Sequence, residues 1–190
     1  MGLHITGDPE ADRLLSEDPL ALVIGMLLDQ QVPMEWAFVG PYRLRERLGG
    51  HLDARGIAEM DEAELETVFR QKPSLHRFPE SMARRTHALC AFLIERYGGD
   101  AAALWRTADS GAELLDRLRE LPGYGDEKAR ILVALLAKRL GVAPAGWQEA
   151  AAPFGDDTPR SVADIDSPEA LERVREWKRA RKARGLGKAD

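Results

Sequence analysis

Leu121-Pro122-Gly123-Tyr124-Gly125 separates two amphipathic helical patterns, and its reading decides the fold. Upstream, Leu114, Leu115, Leu118 and Leu121 line a helix that opens at Asp109 or Ser110 and ends at Glu120. Downstream, Ala129, Leu132, Val133, Leu136 and Leu140 line a helix over residues 126–140. Apolar side chains at offsets of three and four share one helix face. Two glycines flanking one residue allow a tight turn with positive φ and leave the backbone N–H groups unobstructed. Those groups meet the start of the next helix, where unsatisfied donors and the helix dipole favour an anion. A nucleic-acid phosphate fits such a corner without base contacts. An ordinary structural corner is the competing reading. Asp126 and Glu127 favour it, because carboxylates repel a phosphate, while Lys128 partly offsets them.

Working outward, every segment between Gly or Pro punctuation carries helical spacing, and none has a sustained period of two. Asp18-Pro19 opens a helix running to about Gln30, whose residues 20–28 are apolar on all sides and so belong at the centre of a domain. A second follows Pro33 and stops at Gly49-Gly50. Asp61 with Glu64 caps a short helix to Phe69, and residues 80–97 form a longer one ended by Gly98-Gly99. Residues 100–105 make a short helix, 146–154 another, and Ser167-Pro168 opens the last. The expected fold class is all-α. A helical domain over 1–155, with the hairpin at 112–140, is followed by a loop and basic helix over 156–190.

Composition narrows the function. The chain of 190 residues is 44% hydrophobic and 31% charged, as in a folded soluble domain. Its longest apolar run, residues 21–28, is too short for a membrane span, and no secretory signal is visible, so a cytoplasmic location is expected. The single cysteine, Cys90, sits in an apolar helical stretch and reads as a buried structural thiol; it excludes an internal disulfide and a four-cysteine iron–sulfur cluster. The four histidines lack zinc spacing, so neither metal nor cofactor is expected. Net charge is −5, but acidic residues concentrate at 59–66 while residues 173–188 are rich in Arg and Lys. Distribution matters more than the sum for a nucleic-acid partner.

The hairpin, followed by Lys128-Ala129, resembles that of the helix-hairpin-helix–GPD DNA glycosylase superfamily, with its endonuclease III, MutY and AlkA branches. Gly25-Met26-Leu27-Leu28-Asp29-Gln30-Gln31-Val32 is similar to the end of that superfamily's early buried helix, and the two stretches occur in the family's order. The similarity extends over residues 15–145. His76-Arg77-Phe78-Pro79, Gly146-Trp147-Gln148-Glu149 and Ser161-Val162-Ala163-Asp164 resemble a small group of HhH-GPD base-excision-repair proteins. The resemblance implies a two-lobed helical fold with a cleft beside the hairpin, monomeric, acting on double-stranded DNA with a damaged or mispaired base near the nucleoid.

It also implies roles. Gly123, Tyr124, Gly125 and Lys128 would hold DNA. Gln31, with Gln30, would fill the space left by an extruded base, since an amide both donates and accepts; solvation of a helix end is the alternative. Arg77 lies in a loop that would reach the second strand. Bifunctional members carry a lysine two places after the second hairpin glycine; here that place is Glu127, so Schiff-base strand cleavage is not expected. The family's aspartate, which stabilises charge on the sugar, has no counterpart at its usual interval. Asp156 and Asp157 are the nearest pair, with a turn-capping role as the alternative, and Glu127 and Glu149 are fallbacks. The tail residues Arg175, Lys178, Arg179, Arg181 and Lys182 would add phosphate attraction while Leu171, Val174 and Trp177 dock the helix. Hydrolysis of an N-glycosidic bond is the leading reading. A non-catalytic DNA-lesion binder and a helical protein-interaction module are its rivals.

Overall fold

The computed structural model describes residues 2–190, and its regular elements are all helical. In chain order these are α1 (Pro9–Glu17), α2 (Pro19–Leu28), α3 (Met34–Arg47), α4 (Ala54–Glu59), α5 (Glu62–Arg70) and α6 (Pro79–Tyr97). Then follow α7 (Ala103–Arg106), α8 (Gly111–Arg119), α9 (Asp126–Leu140), α10 (Trp147–Ala151), a 3₁₀ turn at Val162–Asp164 and α11 (Pro168–Ala183). Among the described residues, no helix is long and apolar enough to cross a membrane.

The apolar stretch at residues 20–28 forms the central helix, α2, buried along its whole length. Asp18 caps it, accepting from the amides of Leu20 (2.9 Å) and Ala21 (3.3 Å), and Pro19 occupies its first position, where no N–H is needed. Around it lie two groups of helices. α4 and α5 pack on α6 in the first, and α8, α10 and the 3₁₀ turn pack on α9 in the second. α1 and α3 pack on α2 and on each other, and the N-terminal segment shares a groove with Pro168 and Leu171 of α11.

The expected caps at Asp61, Ser110 and Ser167 are each formed by the side-chain oxygen. Cys90 is fully buried, and burial pushes its thiol up to about 12, which suits an inert core residue. Leu171 and Val174 dock α11, and the guanidinium groups of Arg160 (5.6 Å) and Arg181 (5.2 Å) both pack on the Trp177 ring.

The hairpin helices are locked from behind by α10. The Gly111 amide donates to Ala145 (2.8 Å), and a Cβ on Gly111 would lie 2.6 Å from the backbone N and Cα of Trp147. Backbone cannot yield as a flexible side chain can. Gly111→Ala should therefore lower unfolding free energy by roughly 1–3 kcal/mol in urea denaturation, the usual cost of overpacking. An unchanged midpoint would mean that this packing is slack.

Candidate nucleic-acid interface and cleft

The hairpin turn follows α8 through Leu121-Pro122 and places Gly123 at φ +83°, a conformation that favours glycine. A Cβ there would overlap Leu27 Cδ1, so the turn presses directly on α2. Tyr124 lies beneath it, 8% exposed, and its hydroxyl donates to the Val23 carbonyl at 2.7 Å. Gly125 precedes α9 in an extended conformation, with open space where its side chain would be. The Tyr124 amide is satisfied by Leu121 (3.0 Å). Among the described residues, the amides of Gly123, Gly125, Asp126, Glu127 and Lys128 have no acceptor. A helix start with bare donors is the geometry an anion needs.

The acidic residues at this site do not cancel it. Asp126 turns to Arg119, whose Nε donates at 2.7 Å, and to Arg130 Nε at 2.7 Å. Both guanidinium groups hold its carboxyl below the usual range. With two cations on one carboxylate, the corner carries no net negative charge from Asp126. Glu127 faces Lys188 at 3.8 Å.

Tyr124 and Lys128, expected at the DNA face, are turned inward. Lys128 Nζ donates to the carbonyls of Met26 and of Asp29 (3.0 Å) at the C-terminus of α2. Burial, reinforced by the nearby Lys188, lowers its pKa to about 8 against the pull of Asp29 and Glu127. Two further side chains cap the same helix end. Gln30 Nε2 donates to Leu27 (2.7 Å), and the buried His76 ring places Nε2 3.0 Å from both the Leu28 and Gln30 carbonyls. Nδ1 of His76 accepts from the Phe78 amide at 3.0 Å, which fixes the proton on Nε2. Desolvation lowers the pKa of this imidazole, as its neutral capping role requires.

The capped helix end delivers Gln31. Its φ is +58°, the one non-glycine value in the left-handed region among the described residues, at a cost of about 1–3 kcal/mol. Its side chain is exposed and makes no hydrogen bond among the described residues. Gln30 is committed instead, its Oε1 accepting from Arg85 Nη1 at 2.6 Å. Beside it, the His76–Pro79 loop carries Phe78, an exposed large hydrophobic residue at 41%, with the Arg77 guanidinium 5.5 Å from its ring. In the sequence Phe78 is noted only as part of the His76–Pro79 stretch, with Arg77 as its candidate, and Arg85 is not noted; an aromatic flanked by Arg and Pro was the available signal for the first.

Next to Gln31 opens a cleft of ≈ 710 Å³, walled by the α2–α3 connection and by α11. Asp29, Met34 and Glu35 line one side, and Arg175, Lys178 and Lys188 the other. Arg175 bridges Glu35 and Glu172. The Asp29 carboxylate has neither a hydrogen bond nor an ion pair among the described residues. Arg179 lies at the exposed rim; Arg181 packs on Trp177, and Lys182 is exposed.

The other acidic candidates lie elsewhere. Asp156 is exposed, pairs with Arg160 at 2.7 Å and accepts from the Thr158 amide at 3.0 Å, the capping geometry of a turn. Asp157 lines a separate groove with Lys138, Trp147 and Arg173, to which neither α2 nor the hairpin turn at 121–125 contributes. Glu149 is exposed on a shallow groove with Arg119 and Arg130.

A family model described as HhH-GPD superfamily base excision DNA repair protein matches residues 24–187. The chain belongs to this superfamily. None of the curated proteins matches it. The match starts within α2 and continues into the basic tail, so the HhH-GPD region includes the second half of the buried helix, the hairpin and, Lys188 apart, both walls of the cleft.

The buried Lys128 gives a pH signature. A lysine with a folded pKa below its unfolded value holds its proton more tightly in the unfolded chain, so its contribution to stability rises with pH between about 8 and the ordinary 10.5. Urea denaturation of the wild type and of Lys128→Met should show the wild type gaining on the variant as pH is raised from 7 to 10. A difference that stays constant with pH would show that the Lys128 ammonium is as well solvated folded as unfolded.

Proposed function

We propose that the protein is a monofunctional DNA N-glycosylase that acts on a damaged or mispaired base extruded from duplex DNA. One observation carries this reading: five bare hairpin amides lie across the end of α2 from a cleft containing an uncommitted carboxylate and an uncommitted glutamine. A phosphate on the hairpin amides would fix the duplex. Gln31 would enter the stack and hydrogen-bond the orphaned partner base, offsetting the few kcal/mol that extrusion costs. Phe78, with Arg77, would support the second strand at the same step. The extruded nucleotide would then enter the cleft, where Asp29 is placed to stabilise positive charge developing at the sugar C1′ and to receive a proton from the attacking water. Glu127 at the place of the family's lysine fits hydrolysis without strand scission.

The absence of an aspartate at the family's interval favours one alternative, a lesion-binding protein without chemistry. Alkali-revealed cleavage of oligonucleotide duplexes carrying uracil, alkylated purines, oxidised guanine or adenine mispairs separates the two. Base release that falls by at least about 10²-fold in Asp29→Asn, the effect expected for losing one preorganised electrostatic group, supports the proposal. Loss instead in Asp156→Asn or Asp157→Asn moves the chemistry to the other groove. Tight binding without release across the panel favours the non-catalytic reading.

DNA retention is tested at Gly125, which has open space for a methyl group. Gly125→Ala should keep wild-type thermal stability yet weaken duplex binding, because a methyl group there would take up open space at the start of α9 that an approaching phosphate needs. The slope of log K against log salt concentration should become shallower by about 0.9 for each DNA phosphate that the variant no longer engages. Unaltered binding in this variant would point away from the hairpin as the docking site.

A further inference from the structure

The cleft holds a second uncommitted ionisable group. Lys178 lies on the docking stripe of α11, one turn beyond Val174 and two beyond Leu171, where an apolar residue would be expected. Its Nζ has a single polar neighbour, Met34 Sδ at 3.7 Å, and a thioether is a weak acceptor with no charge. No carboxylate pairs with it among the described residues. Glu35 and Glu172 are engaged with Arg175, and Glu127 with Lys188, while Asp29, on the opposite wall, attracts Lys178 from beyond ion-pair distance. Burial, reinforced by Lys188, lowers the pKa of Lys178 against the pull of Asp29, Glu35 and Glu127. A partly buried cation with no carboxylate in contact is costly to keep, so its charge is of use when something else occupies the cleft.

What it suits follows from how an N-glycosidic bond breaks. The electron pair of the C1′–N bond stays on the ring nitrogen of the base, while water oxygen bonds to C1′ and gives a proton to Asp29. A neutral base therefore departs as an anion, its charge spread onto a carbonyl oxygen next to that nitrogen, and is neutralised by a proton from Lys178 or solvent. An alkylated purine that is already cationic departs neutral. It gains nothing from an ammonium group and is repelled by it beforehand.

We propose that Lys178 is the leaving-group cation of this site, and that the cleft takes a neutral base with a carbonyl beside its glycosidic nitrogen, as in uracil or 8-oxoguanine, rather than a cationic alkylated purine. This rests on the glycosylase reading and specifies its substrate class.

The experiment compares base release from duplexes containing uracil, 5-fluorouracil, 8-oxoguanine or 7-methylguanine, by wild type, Lys178→Gln and Lys178→Arg, with melting temperatures to verify folding. Wild type should release a neutral base and spare 7-methylguanine. Lys178→Gln should slow that release by about 10²–10³-fold, and Lys178→Arg by less, since it keeps the cation. Where uracil is the base released, 5-fluorouracil, which departs as a more stable anion, should be at least about tenfold less sensitive to Lys178→Gln. Release of 7-methylguanine alone overturns the inference and leaves the glycosylase reading standing. An equal slowing of uracil and 5-fluorouracil, or equal losses in Gln and Arg variants, also overturns it. Release by the wild type from an adenine mispair alone overturns this assignment and leaves the glycosylase reading standing, whereas no release from these duplexes or from an adenine mispair removes the glycosylase reading itself.

Discussion

The last carbonyls of α2 have no water to turn to. A helix end leaves up to four acceptors unpaired, and an exposed helix hydrates them; α2 is buried from Leu20 to Leu28, so they must be met by protein. Lys128 reaches them from α9, His76 from the loop before α6, and Gln30 from the residues that follow. These caps tie three distant stretches of chain to one point. They also fix the hairpin amides, the His76–Pro79 loop and Gln31 relative to each other. Lys128 bears the largest desolvation, visible in its lowered pKa, and the compensation is that a cation at a helix C-terminus meets both the dipole and the lone pairs.

The parts of this arrangement governed by local rules were legible in the sequence. Residues 20–28 declare a central helix by being apolar all round, and Asp18-Pro19, Ser110 and Ser167 mark helix starts because capping needs only a nearby oxygen. The same signature, Asp8-Pro9, precedes α1, with Ala11, Leu14 and Leu15 as its buried stripe, and it was there to be read. α4 was not legible in the same way: a six-residue helix with only Ala54 and Ile57 buried is too short to establish a period.

The site was less legible for a physical reason. Lys128 follows two acidic residues at a helix start and reads as a surface cation, but its partners are carbonyls about a hundred residues away. Tyr124, at the tip of a turn in sequence, is beneath it in space because its hydroxyl finds Val23. Asp29 gave no signal as a candidate acid, since it sits beside two glutamines at a helix end. Asp156 and Asp157 drew attention through spacing along the chain. The Asp156 side chain instead serves its own turn, while the nearly buried Lys138–Asp164 pair at 2.6 Å anchors the same loop to the 3₁₀ turn.

Net charge gives the wrong impression of the binding face for a related reason. The acidic stretch at 59–66 belongs to α4 and α5, which pack on α6, and none of its carboxylates lines the cleft beside Gln31. Around Gln31 the cations outnumber the free acids, because Arg175 takes up Glu35 and Glu172 while Arg77, Arg85, Lys178 and Arg179 lack carboxylate partners among the described residues. Long-range repulsion from distant carboxylates is screened within about 8–10 Å at physiological salt. The local excess of cations therefore decides what can approach, and a chain of charge −5 presents an anion-attracting surface where its amides, its glutamine and its cleft converge.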